Sequence, residues 1–483
     1  MNIKKKTSKG ITLIALVITI IVLLILAGVT LGALTGDNGI LTRAADSKEK
    51  TEIADIKEEL QRKILEEQIT NDGDLTKTAL ETILKSKGTL SDETDILDRK
   101  LKTTKGNYEI PVRDIWNGTL SSTSGGGGGS GLTDTADTKP GTAMPSGATV
   151  IEAEPSKGIV IKDNKNNEWV WIEVPKSIYS NTSYNGGTKP SFENPTTDED
   201  YKKIKDVLIA YAGVYREGKV GQGCNWTDEW YAMDGSTLVT AKTANLTDAK
   251  KALNNGCGLN YAEYDQKYKK MLSSVYTNGG FWIGRYEAGV SNTTPRTEEG
   301  EITGLEAKSQ PDMIPFNFVT CSQAQTLANA MSTDSSKTSS LMFGIQWDLV
   351  CKYLEGKDGL TKADINSDST NWGNYYNIAV PITSANAKQY KNSAWSAITE
   401  TKAKDSTILL STGASNNTKK MNIYDFAGNE WEWTLEKTSN TDGPCASRGG
   451  DYDYNGCDGP ASYRIRISTS YSLSYVSFRP SLY

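Results

Sequence analysis

Histidine is absent from all 483 residues, and that removes whole classes of chemistry. A Ser-His-Asp or Cys-His arrangement has no base, and zinc, copper or non-haem iron sites built on imidazole have no ligands. The reactive groups that remain are thiols, carboxylates and lysines. The six cysteines, Cys224, Cys257, Cys321, Cys351, Cys445 and Cys457, lie far apart without a CxxC pair, so a zinc ribbon is not expected. On the cell exterior they can pair as disulfides in several ways; as buried free thiols they would pack as small hydrophobes. A net charge of −6 and a pI near 5.2 supply no basic footprint, and nucleic acid is not an expected partner.

Two stretches concentrate the remaining polar chemistry near the C-terminus. The first is Asp425 to Trp433, where Gly428-Asn429 precedes Glu430 and Glu432 alternating with Trp431 and Trp433. In a strand one of those pairs would face the core, and the tryptophans read as core packing. The second is Asp451 to Ser477, DYDYNGCDGPASYRIRISTSYSLSYVS, which lacks Lys, Glu, Gln, Trp and Met altogether. Every residue type present is reachable by randomising the two adenines of an AAC codon, and the missing five are not. Tyr, Ser, Gly and Asn are also the residues favoured in paratopes, where tyrosine gives large contact area at low entropic cost.

These stretches need elements to hold them. Trp169-Val-Trp-Ile-Glu-Val and Phe281-Trp-Ile-Gly-Arg-Tyr have the aromatic and β-branched content of strands. Ser322 to Met331 and Leu341 to Leu354 read as helices. So do Asp198 to Tyr215 and Tyr261 to Val275, which look like an insertion between early strands. Residues 119–147 are rich in Gly, Ser, Thr and Pro and read as a flexible linker. Before it, residues 70–118 carry a short helix near Thr76 to Ser86 and strand-like runs at Tyr108 to Val112 and Ile115-Trp116.

At the N-terminus a basic stretch, residues 1–10, precedes 24 residues without a charge, Ile11 to Leu34. As a helix that run spans roughly 36 Å, enough to cross a bilayer. Lysines 4, 5, 6 and 9 hold its start in the cytoplasm. The run is too long for the apolar core of a cleaved secretory signal. Ala54, Ile56, Leu60, Ile64 and Ile69 continue at helical spacing, so one helix is expected from about 11 to 69.

Lys9-Gly10 followed by Ile11-Thr12-Leu13-Ile14 and the apolar helix resembles the start of type IV prepilins. That resemblance implies cleavage after Gly10, methylation of Ile11, membrane insertion through the helix, and other pilin subunits as partners. Ala15 stands where the family carries a glutamate, which fits a minor or tip subunit.

Trp169 to Val174, Phe281 to Glu287, Pro315 to Thr320, the helix holding Trp347, Gly428 to Trp433, Arg448-Gly449-Gly450 and Phe478-Arg479-Pro480 follow one another as in the formylglycine-generating-enzyme branch of the C-type lectin fold. The oxidases of that branch bind copper with two cysteines shortly after the Gly-Gly pair. Here those positions are Tyr454 and Gly459, with Cys457 between them and Cys445 ahead. A single thiol in register does not make a two-thiolate site, so binding rather than catalysis is expected, with no catalytic cofactor. The resemblance also implies a structural calcium, held by Asp425 and Glu432 side chains and the Gly428 and Glu430 carbonyls; hard oxygen ligands suit that ion. The tail between Arg-Gly-Gly and Phe-Arg-Pro resembles the variable region of diversity-generating-retroelement target proteins, which present mutable side chains on this fold.

The expected fold class is thus α+β, with a long N-terminal pilin-like α-helix, a flexible linker and a C-type-lectin-like domain. The expected boundaries are leader 1–10, pilin-like segment 11–118, linker 119–147 and lectin-like domain 148–483, with its variable region at 451–477. Asp451, Asp453, Tyr454, Asp458, Tyr463, Ile465, Arg466, Ile467, Tyr471, Leu473 and Tyr475 are the expected ligand-binding residues, for a protein or glycan ligand at the cell surface.

Overall fold

The computed structural model describes residues 40–70, 75, 77–93, 96–116, 132–185, 189–217, 226–228, 230–231, 238–239, 256–291, 296, 298–332, 334–440 and 443–483. Gly10, Ile11 and the apolar run to Leu34 lie outside them. Among the described residues no helix is long and apolar enough to cross a membrane. Helix and sheet are mixed throughout, and the chain divides into two compact units, Met1–Gly128 and Gly129–Tyr483.

The first unit contains helix α1 (Ile40–Thr70), helix α2 (Lys77–Lys85), and a three-stranded antiparallel sheet of β1 (Gly88–Leu90), β2 (Lys100–Thr103) and β3 (Glu109–Pro111). Leu60 and Ile64 of α1 are buried with Leu80, Leu84, Leu101 and Ile110, the i, i+4 stripe expected of a helix with one covered face. Ile115 is not in a strand. Val112–Ile115 forms a single helical turn, α3, after Pro111. Val112 and Ile115, three residues apart, both reach the core on that turn.

In the second unit the leading sheet runs through β4 (Thr149–Glu152), β5 (Val160–Lys162) and β6 (Glu168–Glu173). It continues with β8 (Gly280–Gly284), which follows the short strand β7 (Trp226–Thr227). Strands β9 (Ser339–Leu341) and β16 (Pro480–Leu482) complete the order β9-β16-β8-β6-β5-β4. The chain's last strand therefore lies inside this sheet, paired with β8 on one side and β9 on the other. Helices α4 (Asp198–Arg216), α5 (Tyr261–Asn278), α6 (Cys321–Asn329) and α7 (Gly344–Leu354) pack around the sheets. Helices α4, α5 and α6 fall where residue spacing placed them. The α7 helix starts later than Leu341, because Ser339–Leu341 is recruited as a strand. The Asp228 carboxylate then accepts from the Gly344 and Ile345 amides at 2.7 and 3.0 Å, satisfying donors that a helix start leaves open.

Residues 132–147, grouped above with the linker, are tied to this unit. The indole of Trp171 donates to the Thr138 hydroxyl at 2.7 Å, and that of Trp282 to the Ala143 carbonyl at 3.0 Å. The Lys139 amide donates to the Asn278 carbonyl. Both indoles are almost wholly buried and need such acceptors.

Candidate binding face

The second sheet carries the site. Strand β12 (Trp431–Thr438) lies between β13 (Cys445–Arg448), antiparallel, and β15 (Val476–Phe478), parallel; β14 (Arg464–Arg466) pairs with the outer edge of β13. Residues 451–477 thus leave the sheet after β13, add one edge strand and return to β15. Gly449 and Gly450 make the exit possible, at φ +98° and +81°. A Cβ on Gly450 would sit 2.2 Å from the Gly459 carbonyl oxygen, so only glycine fits there.

Every residue of β12 is buried, and so is Glu430 just before it, so both tryptophans and Glu430 and Glu432 lie inside, rather than one pair facing out. The glutamates need partners, since an unpaired buried charge is costly. Arg479 grips Glu432, with its Nη2 2.7 Å from one oxygen and its Nε 3.1 and 3.2 Å from the two. Burial outweighs that guanidinium and pushes the Glu432 carboxyl up to about 7. Glu430 accepts from the Asn317 amide at 3.0 Å, and burial pushes it well above the usual range. Asp425 accepts from the Gly413 amide and the Thr418 hydroxyl, each at 2.7 Å. Gly428, at φ +71°, donates its amide to the Gly449 carbonyl. Both side-chain carboxylates of the expected calcium set, Asp425 and Glu432, thus already accept from protein donors.

The tail backbone is pinned at close intervals. Asp451 Oδ1 accepts from the amides of Asp453 and Tyr454 at 3.0 and 3.1 Å. The Tyr375 hydroxyl donates to the Gly449 and Gly459 carbonyls. Tyr454 accepts on its carbonyl from Tyr376, Ala461 from the Trp347 indole, Leu473 from Phe318, Ser474 from Asn317, and Tyr475 from the Trp431 amide.

Side chains do the reverse. Of the five large apolar side chains more than a third exposed among the described residues, three are tail tyrosines: Tyr454 at 40%, Tyr471 at 57% and Tyr475 at 37%. Asp453 and Asp458 are also exposed, while Tyr463, Ile465, Arg466, Ile467 and Leu473 are half-buried. Tyr454 stands edge-on to the buried Trp431, with centroids 5.7 Å apart, and Tyr463 leans on the same ring at 5.7 Å. One scaffold indole therefore positions two displayed rings.

Asp451 departs from expectation. It is 2% exposed, and its carboxylate serves the turn beneath the face; burial pushes it up to about 7. Two contributors were not anticipated. Thr407 donates to the Asp453 carboxylate at 2.8 Å, and Tyr376 supports Tyr454; both lie in a segment remote in sequence, for which spacing carries no signal. Arg464, in the middle of the tail, is wholly buried. It pairs with Asp348 at 2.8 Å and Glu436 at 3.1 Å and donates to the Tyr215 and Arg216 carbonyls at the end of α4.

No protein-family model matches the chain, and no curated protein does. Solved structures do. The chain is similar to Treponema denticola variable protein 1. The identity is 18% and the TM-score 0.25, over 42% of this chain and 84% of that one.

Proposed function

We propose that this chain is a surface-displayed binding protein whose tail, residues 451–477, presents an exchangeable contact face on a rigid scaffold. The observation that carries the reading is the separation of roles within the tail: a backbone pinned by buried groups, and tyrosines projecting from it. Tyrosine and arginine anchors dominate binding energy where they are rigidly presented. Diversification of the kind the tail's alphabet suggests then falls on Asp453, Tyr454, Asp458, Tyr463, Ile465, Arg466, Ile467, Tyr471, Leu473 and Tyr475. Asp451 and Arg464 stay fixed, because each holds buried structure. The ligand is a protein or a glycan, and the chain acts by binding, not by catalysis.

The N-terminal segment supplies the anchor in this reading. Processing between Gly10 and Ile11 leaves an apolar helix that inserts in the membrane or beside pilin-like subunits, holding the second unit outside the cell. Intact-mass analysis of membrane-extracted protein tests that part: a chain beginning at Ile11 supports it, and a retained Met1–Gly10 in cells with an active prepilin peptidase rejects it. For the tail, the decisive genomic observation is a near-copy of its coding sequence, differing at adenines and lying beside a reverse transcriptase gene.

A further inference from the structure

Beneath the second sheet lies a group of side chains that the binding face does not use. Lys437 sits on β12 where the pairing with β13 is irregular, between Trp433 and Lys437, and its side chain is wholly buried. Its ammonium donates to Cys257 Sγ at 3.1 Å and to Cys445 Sγ at 3.4 Å, and lies 5.1 Å from the centre of the Tyr264 ring. The two thiols therefore flank one ammonium, with Cys321 the next thiol beside Cys445. Cys321 points at the Thr434 carbonyl, 4.0 Å away. Cys257 belongs to the segment entering α5 and Cys445 opens β13, so residues distant in sequence meet here around one cation.

We propose that Cys257 and Cys445 are an oxidisable pair that closes to a disulfide when the protein meets peroxide or another two-electron oxidant outside the cell. Burial pushes both thiols up, Cys445 to about 12; the ammonium in contact with both sulfurs works against that push and helps form the thiolate that must attack the oxidant. With hydrogen peroxide, the attacking sulfur takes one oxygen as a sulfenic acid, the O–O bond breaks, and water leaves. The neighbouring thiol then displaces that oxygen as a second water, forming the S–S bond. Two thiols and one peroxide give one disulfide and two waters, the sulfurs losing the two electrons that the peroxide gains. The bridge closes a very long loop between α5 and the sheet under the face, which restrains the unfolded chain strongly. This inference is independent of what the tail binds.

The test uses the full chain, reduced and then treated with hydrogen peroxide, followed by peptide mapping without reductant. The expected result is a linked pair of peptides carrying Cys257 and Cys445, a melting midpoint that rises on oxidation, and its return with reductant. Cys257→Ser should abolish both the link and the shift, whereas Cys351→Ser, at another buried thiol, should leave them intact. Both thiols still unlinked after oxidation of a protein shown to be folded by its tryptophan fluorescence would overturn the proposal. A Cys321–Cys445 link in place of the expected one would overturn it equally.

Discussion

Replacing Arg464 with methionine separates scaffold from display inside the tail. The side chain is completely buried, with Arg448 and Arg216 as companions and Asp228, Asp348 and Glu436 as counter-charges. Three guanidiniums thus balance three carboxylates. Methionine fills much of the volume but leaves one buried negative charge in excess. Breaking a buried pair in this one-sided way costs about 3–5 kcal/mol, a large part of the roughly 5–15 kcal/mol that holds a domain together. Urea unfolding followed by tryptophan fluorescence reads the loss as a lower midpoint at unchanged slope. Neutralising Asp348 as well, in Arg464→Met/Asp348→Asn, should recover part of it, giving a coupling of at least about 1 kcal/mol. Acid sensitivity should move too. Against the upward push of burial, Arg464, Arg448 and Arg216 hold Glu436 down to about 2. A depressed carboxylate stabilises the fold above its unfolded value near 4.5 and loses that contribution as pH falls towards its folded value. Without Arg464 the folded value rises, so the loss on acidification should be smaller and complete at a higher pH. A stability change below about 0.5 kcal/mol for Arg464→Met, the size expected of a surface site, would refute the assignment of Arg464 to the scaffold.

Tyr471→Ala, seven residues away and 57% exposed, should change stability by less than about 0.5 kcal/mol in the same assay. Asp451 has a folded value raised from 3.8 to about 7. Its contribution is therefore fully present below about pH 4 and declines as pH rises to 7, by roughly 4 kcal/mol. Asp451→Asn keeps an acceptor for the turn and should flatten that decline in pH-dependent unfolding; an unchanged slope would count against the buried placement. A fragment starting at Leu132 should be more stable than one starting at Ala148 by at least about 2 kcal/mol, because the shorter one strips the acceptors from two buried indoles. Chelating calcium should leave the melting midpoint of the second unit unchanged, given how Asp425 and Glu432 are already occupied.

Much of this arrangement was legible in the residues, for physical reasons. Strands β6 and β8 declare themselves by continuous apolar runs, and the long helices by their period. The tail declares itself by an alphabet no core would choose. What stayed hidden depends on distant partners. Glu430 and Glu432 look like solvated or metal-binding carboxylates until Asn317 and Arg479 are brought beside them. Asp451 and Asp453, two residues apart in one polar run, part company only when the fold buries the first and two backbone amides close on its carboxylate. The Pro- and Thr-containing stretch 132–147 has linker composition, yet Thr138 and Ala143 serve buried tryptophans that local sequence cannot identify.

The central claim, that the tail is a display face on a fixed frame, is tested most directly by a library randomised at Asp453, Tyr454, Asp458, Tyr463, Arg466, Tyr471, Leu473 and Tyr475, scored for resistance to protease and selected for binding to lysozyme as an arbitrary target. Most members should stay folded, and lysozyme binders should emerge whose affinity disappears when the selected tail residues revert. A second library randomised at Asp451, Arg464 and Val476 should lose its folded members. Collapse of the first library, or binders indifferent to reversion of the tail, would contradict the account.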